Sequence, residues 1–137
     1  MTQVAAQRIK TEPDPFESFY ISQGFRIGNI VYLSGQAAID MQGNIVGKGD
    51  FEAQAEQTFR NIDTVLEAAG SSLAKIFKVT IYLTDMGNFP KIVELRQRWF
   101  SKPYPADTIV EVRSLALPEL MIEIDVQAIV TGALEDA

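Results

Sequence analysis

Two carboxylates stand at alternate positions of one short segment, Leu120 to Val130, which reads LMIEIDVQAIV. Side chains alternate between the faces of a strand, so Glu123 and Asp125 share a face that cannot belong to an ordinary apolar core. Charges in such a place are solvated, paired across an interface or part of a site. Partial burial would raise the pKa of Glu123 and suit it to act as a general acid or base that orients water. The competing interpretation of Glu123 is an inter-subunit salt bridge, and Asp125 is assigned a structural role.

The composition limits the chemistry that could accompany these acids. The chain has no cysteine and no histidine, which removes thiolate nucleophiles, the Ser-His-Asp triad and essentially all zinc sites. Carboxylates could still hold a hard cation, but no Asp/Glu cluster has the loop spacing of such a site. We therefore predict no metal, and acid–base work would fall to carboxylate, Tyr, Lys, backbone groups or water.

The charge and hydropathy of the chain bear on its partners. The net charge is −6 and the pI is near 4.6, whereas phosphate binding needs clustered Lys and Arg, so nucleic acid is a poor partner. The longest apolar runs, such as Ile30 to Leu33, are too short to span a bilayer, and the N-terminus MTQVAAQRIK has no apolar stretch of signal-peptide length. We expect a soluble cytoplasmic protein with no membrane partner.

The length of 137 residues fits a single domain, 1–137, and hydrophobic periodicity orders its elements. Strands are predicted around Arg8 and at Tyr20–Ile27, Ile30–Gln36, Ile76–Leu83, Thr108–Arg113 and Leu120–Val130. Helices are predicted at Phe51–Ala69, after an Asp50 N-cap, and at Phe89–Phe100. This order predicts an α+β fold, a mixed six-stranded sheet with two helices on one face. The other face of the sheet is semi-polar, so we expect further subunits to cover it in a homo-oligomer.

Two features outside the acidic segment could line a ligand cleft. Ser34 and Gly35 end a strand, and a glycine there lets a ligand approach the main chain. Strand termination alone would explain the same pair. Tyr20 opens a strand after an irregular segment, either as a half-buried packing residue or at the rim of a pocket.

Four stretches of the chain together resemble the RidA/YjgF family of reactive intermediate (enamine/imine) deaminases. They are YISQGFRIGNIVYLSGQ, QTFRNIDTVLEAAGSSLAKIFKVTIYLTDMGNF, YPADTIVEV and MIEIDVQAI, and the resemblance extends from about Tyr20 to Val130. It implies a chorismate-mutase-like subunit, a homotrimer and ligand clefts between the subunits. Typical members hydrolyse enamines and imines, such as 2-aminoacrylate, to a keto acid and ammonia without a metal or cofactor.

The resemblance also implies site residues. Glu123 takes the place of the glutamate that positions the attacking water, Tyr20 that of a cleft tyrosine, and Ser34 with Gly35 that of a strand-end pair. The departure is Asp107, because members with deaminase activity carry an arginine there that grips the substrate carboxylate. An acid would repel that carboxylate, whereas a charge-assisted contact is worth roughly 1.5–3 kcal/mol per bond.

The acid at position 107 leaves three outcomes open. Arg26 or Arg113 could reach into the cleft and restore the positive charge. The ligand could instead be neutral, amine-bearing or a larger dienamine. Alternatively, the site could have lost hydrolysis and kept only binding.

The leading hypothesis is a divergent, metal-free hydrolase that acts on the imine or enamine group of a small metabolite, with Glu123 as the catalytic residue. The predicted substrate-binding residues are Tyr20, Ser34, Gly35, Asp107 and Arg113. The alternative is a non-catalytic small-molecule-binding or regulatory trimer of the same fold. A third hypothesis, an endoribonuclease or translation inhibitor, is disfavoured by the acidic charge and the absence of histidine.

Overall fold

The computed structural model describes residues 5–137, and this part of the chain forms seven strands and two helices. The strands are β1 (Ala6–Ile9), β2 (Gly24–Ile27), β3 (Ile30–Leu33), β4 (Gln36–Ala37), β5 (Ile76–Leu83), β6 (Ala106–Glu111) and β7 (Ile122–Ile129). The helices are α1 (Phe51–Ala68) and α2 (Phe89–Trp99).

The strands form one mixed sheet in the order β1-β2-β3-β7-β5-β6, with β4 also paired to β7. The pair β5–β6 is parallel, and the other strand pairs are antiparallel. The α+β class and the mixed sheet predicted from the sequence are therefore confirmed. The sequence predicted six strands, and the structure adds the two-residue strand β4. Strand β7 lies at the centre of the sheet and β6 lies at its edge.

The predicted strand Ile30–Gln36 is interrupted where it passes β7. Tyr32 of β3 pairs with Gln127, but Gln36 of β4 pairs with Ile124. Three residues on one side, 33–35, thus face two on the other, 125–126. This extra residue is a β-bulge, which breaks the pairing and lets a side chain be aimed differently. The bulge ends β3 at Leu33 and leaves Ser34 and Gly35 outside both strands.

Helix α1 forms where the sequence predicted it. The Asp50 side chain accepts a hydrogen bond from the Ala53 N–H at 3.1 Å, as an N-cap does. Gly70 follows the helix at φ +79°, a conformation that favours glycine and ends the helical ladder. Helix α2 begins at Phe89 with Pro90 in its first turn, and the Asn88 side chain makes no capping hydrogen bond.

The hydrophobic core lies between the two helices and one face of the sheet. Its members recur at helical spacing on α1 and α2 and at every second position on β5 and β7, which is why one cluster can join them. The cluster includes Phe51, Ala55, Phe59, Ile62, Leu66, Ile92, Leu95, Val79, Ile81, Leu83, Ile122, Ile124 and Val126.

The opposite side of the sheet, called here the second face, mixes polar and apolar groups. Its polar members alternate with the core residues of the central strands and are half-buried: Lys78, Thr80, Tyr82, Glu123, Asp125 and Gln127. On β2 and β3 it carries large apolar side chains that are exposed by about two fifths: Phe25 by 39%, Ile27 by 43% and Tyr32 by 41%. Such a surface is typical of a protein–protein contact.

Two other predicted strands begin elsewhere than the periodicity indicated. The strand predicted at Tyr20–Ile27 starts at Gly24, because Glu17–Phe19 forms a single 3-10 turn and Tyr20 follows it at φ 60°. The strand predicted at Thr108–Arg113 is β6, which starts two residues earlier, at Ala106.

Candidate functional site

Glu123 lies at the middle of the second face, on the central strand β7. It pairs with Tyr82 of β5 on one side and with Ala37 of β4 on the other. Its side chain is half-buried, and this burial raises the pKa of Glu123 above its ordinary value, with a further contribution from the negative charge of Asp125. A carboxylate with a raised pKa is a stronger proton acceptor than an ordinary one, which suits it to general acid–base chemistry.

Gly35 lies directly against the Glu123 carboxylate. A Cβ atom at position 35 would lie 2.6 Å from Glu123 Oε2 and 2.8 Å from its Cδ, which is closer than real atoms approach. Glycine is therefore needed here because there is no space for a side chain, and residue 35 lies within the β-bulge. The structure thus places Glu123 and Gly35 together, as a shared site requires.

Ser34 serves the main chain that leads into this position. Its Oγ donates a hydrogen bond to the Ser22 carbonyl at 2.6 Å, and its N–H donates to the Gln23 carbonyl at 2.9 Å. The Gln36 side chain donates to the Ser34 carbonyl at 3.0 Å. These bonds fix the bulge, so in the isolated chain the Ser34 hydroxyl proton is already engaged.

A tyrosine that sequence reasoning left without a role stands beside the acids. Tyr82 Oη donates a hydrogen bond to Asp125 Oδ2 at 3.1 Å. Burial raises the pKa of Tyr82, and the charges of Asp125 and Glu123 raise it further, so the phenol stays protonated. Finding the role of Tyr82 requires the register of β5 against β7, and the sequence alone does not reveal this register.

Asp107 lies on the other side of the sheet from Glu123. It pairs with Val79, a core residue, so it faces the helical layer, whereas Glu123 pairs with Tyr82 on the second face. Asp107 is also not an unpaired acid. Arg96 of α2 donates to it twice, from Nε to Oδ2 at 2.9 Å and from Nη2 to Oδ1 at 2.9 Å.

The cation beside Asp107 is therefore neither of the two arginines considered from the sequence. Arg26 donates from Nε to the Gly28 carbonyl at 2.9 Å within the β2–β3 turn. Arg113 is exposed in the segment that follows β6. Arg96 escaped notice because it belongs to a helix, and nothing in the spacing of residues 96 and 107 indicates that they meet.

Tyr20 makes almost no contact with the rest of the chain, since it is 97% exposed. Its neighbours Phe19 and Ile21 are exposed by 68% and 49%. Of the predicted site residues, Glu123, Gly35 and Ser34 lie together in this chain. Asp107 faces the other side of the sheet, and Tyr20 and Arg113 are exposed.

Residues 5–137 lack two kinds of feature, a cluster of metal-binding side chains and a membrane-spanning helix. They contain no group of three or more His, Cys, Asp or Glu side chains arranged to hold a metal ion. Within the same range, neither helix has the length and apolar character that crossing a bilayer demands.

Comparisons with known proteins agree with this architecture. The family model described as Endoribonuclease L-PSP matches residues 10–130. A RutC family protein of Pyrococcus horikoshii is 39% identical over 117 residues, which cover 85% of this chain and 92% of the relative. A 2-iminobutanoate/2-iminopropanoate deaminase of Dermatophagoides farinae is 34% identical over 103 residues, or 75% of this chain and 79% of the relative.

Solved structures are similar over nearly the whole chain. The crystal structure of RidA from an Antarctic Psychrobacter species superposes with a TM-score of 0.81 at 36% identity, covering 90% of this chain and 98% of the other. A Rid family protein of Yersinia pestis gives a TM-score of 0.84 at 34% identity, covering 91% and 99%. On the strength of the family model, the relatives and these structures, the chain belongs to the RidA/YjgF family.

Proposed function

We propose that the protein is a Rid-type hydrolase that releases ammonia from the imine or enamine group of a small metabolite. Glu123 is the catalytic residue in this proposal. The observation that carries it is the half-buried Glu123 carboxylate, whose pKa is raised and which lies against the main chain at Gly35. A carboxyl group placed in this way can handle the proton of a water molecule and has open main chain beside it for a ligand.

The chemistry needs only one proton-transfer group. A protonated imine carbon is already electrophilic, so water attacks it as Glu123 takes a proton from that water. Glu123 returns this proton to the nitrogen of the resulting amino alcohol. The C–N bond then breaks, Glu123 takes the proton of the hydroxyl group, and ammonia leaves as the carbonyl forms. The proton that activated the imine passes from Glu123 to solvent. One imine and one water thus yield one carbonyl compound and one ammonia. As the family resemblance implies, we assign this reaction no metal and no cofactor.

We further propose that the ligand cleft forms between protomers of a homotrimer. The exposed apolar side chains of the second face support this, because they lie on β2 and β3, on one side of the strand β7 that carries Glu123. A second argument is that Glu123 and Asp107 lie on opposite faces of the sheet. A single cleft can contain both only if one comes from each of two neighbouring chains. Tyr20, which is nearly fully exposed, and Arg113 would then act from a neighbouring protomer.

The names of relatives point to two activities, and charge distinguishes them. The deaminase from Dermatophagoides farinae supports imine hydrolysis by this chain. The family model carries the name of an endoribonuclease, but a chain with a net charge of −6 is a poor partner for phosphate. We therefore propose a cytoplasmic enzyme whose partner is a small molecule and not a nucleic acid or a membrane.

The test is a coupled ammonia-release assay over several imines generated in situ by amino-acid oxidation. Glu123→Gln should lower turnover by about a hundredfold or more, the usual scale for a general acid–base residue. Glu119→Gln, an exposed glutamate nearby in the chain, is the matched control and should leave turnover unchanged. Turnover no faster than in buffer, or an unaffected Glu123→Gln variant, would rule out the hydrolase.

One observation favours the alternative of a non-catalytic binding or regulatory trimer. Asp107 replaces the arginine that active relatives are expected to use, so a ligand could be held without being turned over. Thermal stabilisation by keto acids or imine analogues, without any ammonia released in the same assay, would support this second function.

A further inference from the structure

We propose that the groove between α2 and the edge strand β6 selects an uncharged, apolar group of the ligand, and that the Arg96–Asp107 pair sets this preference. This inference deepens the proposed function and rests on it for the reacting group, because the groove would hold the part of the substrate that does not react. Binding in the groove can be tested without turnover.

The pair removes the charge that Asp107 would otherwise present. Its two hydrogen bonds, each 2.9 Å long, join a planar guanidinium to a carboxylate in the fork geometry of the strongest such contacts. Both side chains are largely shielded, with 28% of Arg96 and 20% of Asp107 exposed. The Arg96 guanidinium also lies 5.7 Å from the centroid of the Phe89 ring, which holds it from a second direction.

The groove around this pair is roomy and mostly apolar. Its volume is about 650 Å³, within the usual range for small-molecule sites. The apolar walls come from Phe89, Val93, Phe100, Tyr104, Pro105 and Ile109. Three of these side chains are well exposed in the isolated chain, Phe89 by 40%, Val93 by 50% and Tyr104 by 57%, so they are available to a ligand.

A neutral ligand fits this combination best. An anion near Arg96 also lies near Asp107, so attraction and repulsion largely cancel while the ligand still loses its hydration. For a cation, attraction to Asp107 and repulsion by Arg96 largely cancel in the same way. An uncharged aryl or branched alkyl group avoids that loss and buries apolar surface. Among residues 5–137, no oxygen accepts a hydrogen bond from Arg96 Nη1, which can therefore donate to a neutral oxygen of the ligand.

Two probes of nearly the same shape test the proposal by calorimetric titration of the intact protein. Phenylacetamide is neutral and phenylacetate is an anion. The wild type should bind phenylacetamide at least about threefold more tightly, a modest ratio that matches the strength of a partly exposed charge. Asp107→Asn keeps a hydrogen-bond acceptor but leaves Arg96 uncompensated, so it should move the ratio toward phenylacetate by about fivefold or more.

Opposite charge changes separate this effect from simple damage to the groove. Arg96→Met leaves Asp107 uncompensated and should move the ratio further toward phenylacetamide, whereas a disrupted groove would weaken both probes alike. Arg98→Met is the matched control, because Arg98 lies on the same helix but pairs with Glu56 at 3.4 Å and does not line the groove. It should leave the ratio unchanged.

Several results would overturn the inference. The wild type could bind neither probe, or it could prefer phenylacetate. Asp107→Asn and Arg96→Met could also shift the ratio in the same direction. Loss of the proposed hydrolase activity is a different result, because it is read from ammonia release. If the protein discriminates between the probes but releases no ammonia, the groove is still a ligand site, and the proposed hydrolase activity is wrong.

Discussion

The Glu123 carboxylate occupies the space that a side chain at position 35 would need. A Cβ atom at Gly35 would lie 2.6 Å from Glu123 Oε2. The two residues are 88 positions apart in the sequence, and they meet where the β-bulge at 33–35 interrupts the pairing with β7.

The first prediction concerns this contact. Gly35→Ala forces the Glu123 side chain to move or the bulge to shift, so it should destabilise the protein by about 1–3 kcal/mol, the usual scale of overpacking. The same substitution should lower turnover, since the carboxylate loses its position. Urea unfolding and the ammonia-release assay measure the two effects.

A double-mutant cycle tests the cause of that destabilisation. In a Glu123→Ala background the clash partner is gone, so Gly35→Ala should cost much less stability than it does in the wild type. An equal loss in both backgrounds would show that the glycine is needed for the backbone and not for the carboxylate.

The second prediction concerns stability and pH. Folding raises the pKa of Glu123, chiefly through burial, so the folded state favours the protonated form. The contribution of this group to stability is therefore fully present below its unfolded pKa and is lost as the pH rises through its folded pKa. Glu123→Gln mimics the protonated form and should raise Tm relative to the wild type at pH 8. The difference should shrink toward zero near pH 4, and a constant difference across this range would contradict the burial effect.

The third prediction concerns the influence of Asp125 on catalysis. The negative charge of Asp125 is the second cause that raises the pKa of Glu123. Asp125→Asn should therefore lower that pKa and move the acid limb of the kcat/KM profile to lower pH. Asp136→Asn, an exposed change near the C-terminus, is the control and should leave the limb in place. An unmoved limb in Asp125→Asn would mean that Glu123 does not set it.

The fourth prediction concerns the Arg96–Asp107 pair. Asp107→Arg removes the two 2.9 Å hydrogen bonds to Arg96 and places a second guanidinium group beside it. The lost bonds and the repulsion between the two positive charges should destabilise the protein by about 1–2 kcal/mol. The charge swap Arg96→Asp with Asp107→Arg restores a pair and should recover most of that loss in urea unfolding. A swap no more stable than the single variant would show that the orientation of the pair matters as well as its charge.

The fifth prediction concerns assembly. If the second face joins protomers, Tyr32→Glu should yield particles of smaller mass than the wild type, for which three chains of 15.2 kDa are expected. Light scattering after gel filtration measures the mass. Thr64→Glu, which adds the same charge to an exposed position of α1, should leave the assembly intact. A wild type of one chain's mass would remove the proposed intersubunit cleft.

Much of this architecture was accessible from the sequence because it depends on local periodicity. The alternation around Glu123 predicted the bounds of β7 to within two residues, and the helical spacing from Phe51 onward predicted those of α1 to within one. The bulge was not accessible, because a continuous run of strand-forming residues hides an interruption that depends on the partner strand. The same holds for two pairs, Tyr82 with Asp125 and Arg96 with Asp107, which depend on strand register and on helix placement.

The bulge at 33–35 is a feature that the candidate site uses and that the pairing of the strands does not require. A chain one residue shorter at this point would let β3 run into β4 with uninterrupted pairing, and every later residue would keep the same partner on β7. Folding alone thus gives no reason to retain the additional residue. Its presence interrupts the regular pairing of β7 at the position where the main chain lies against an acid.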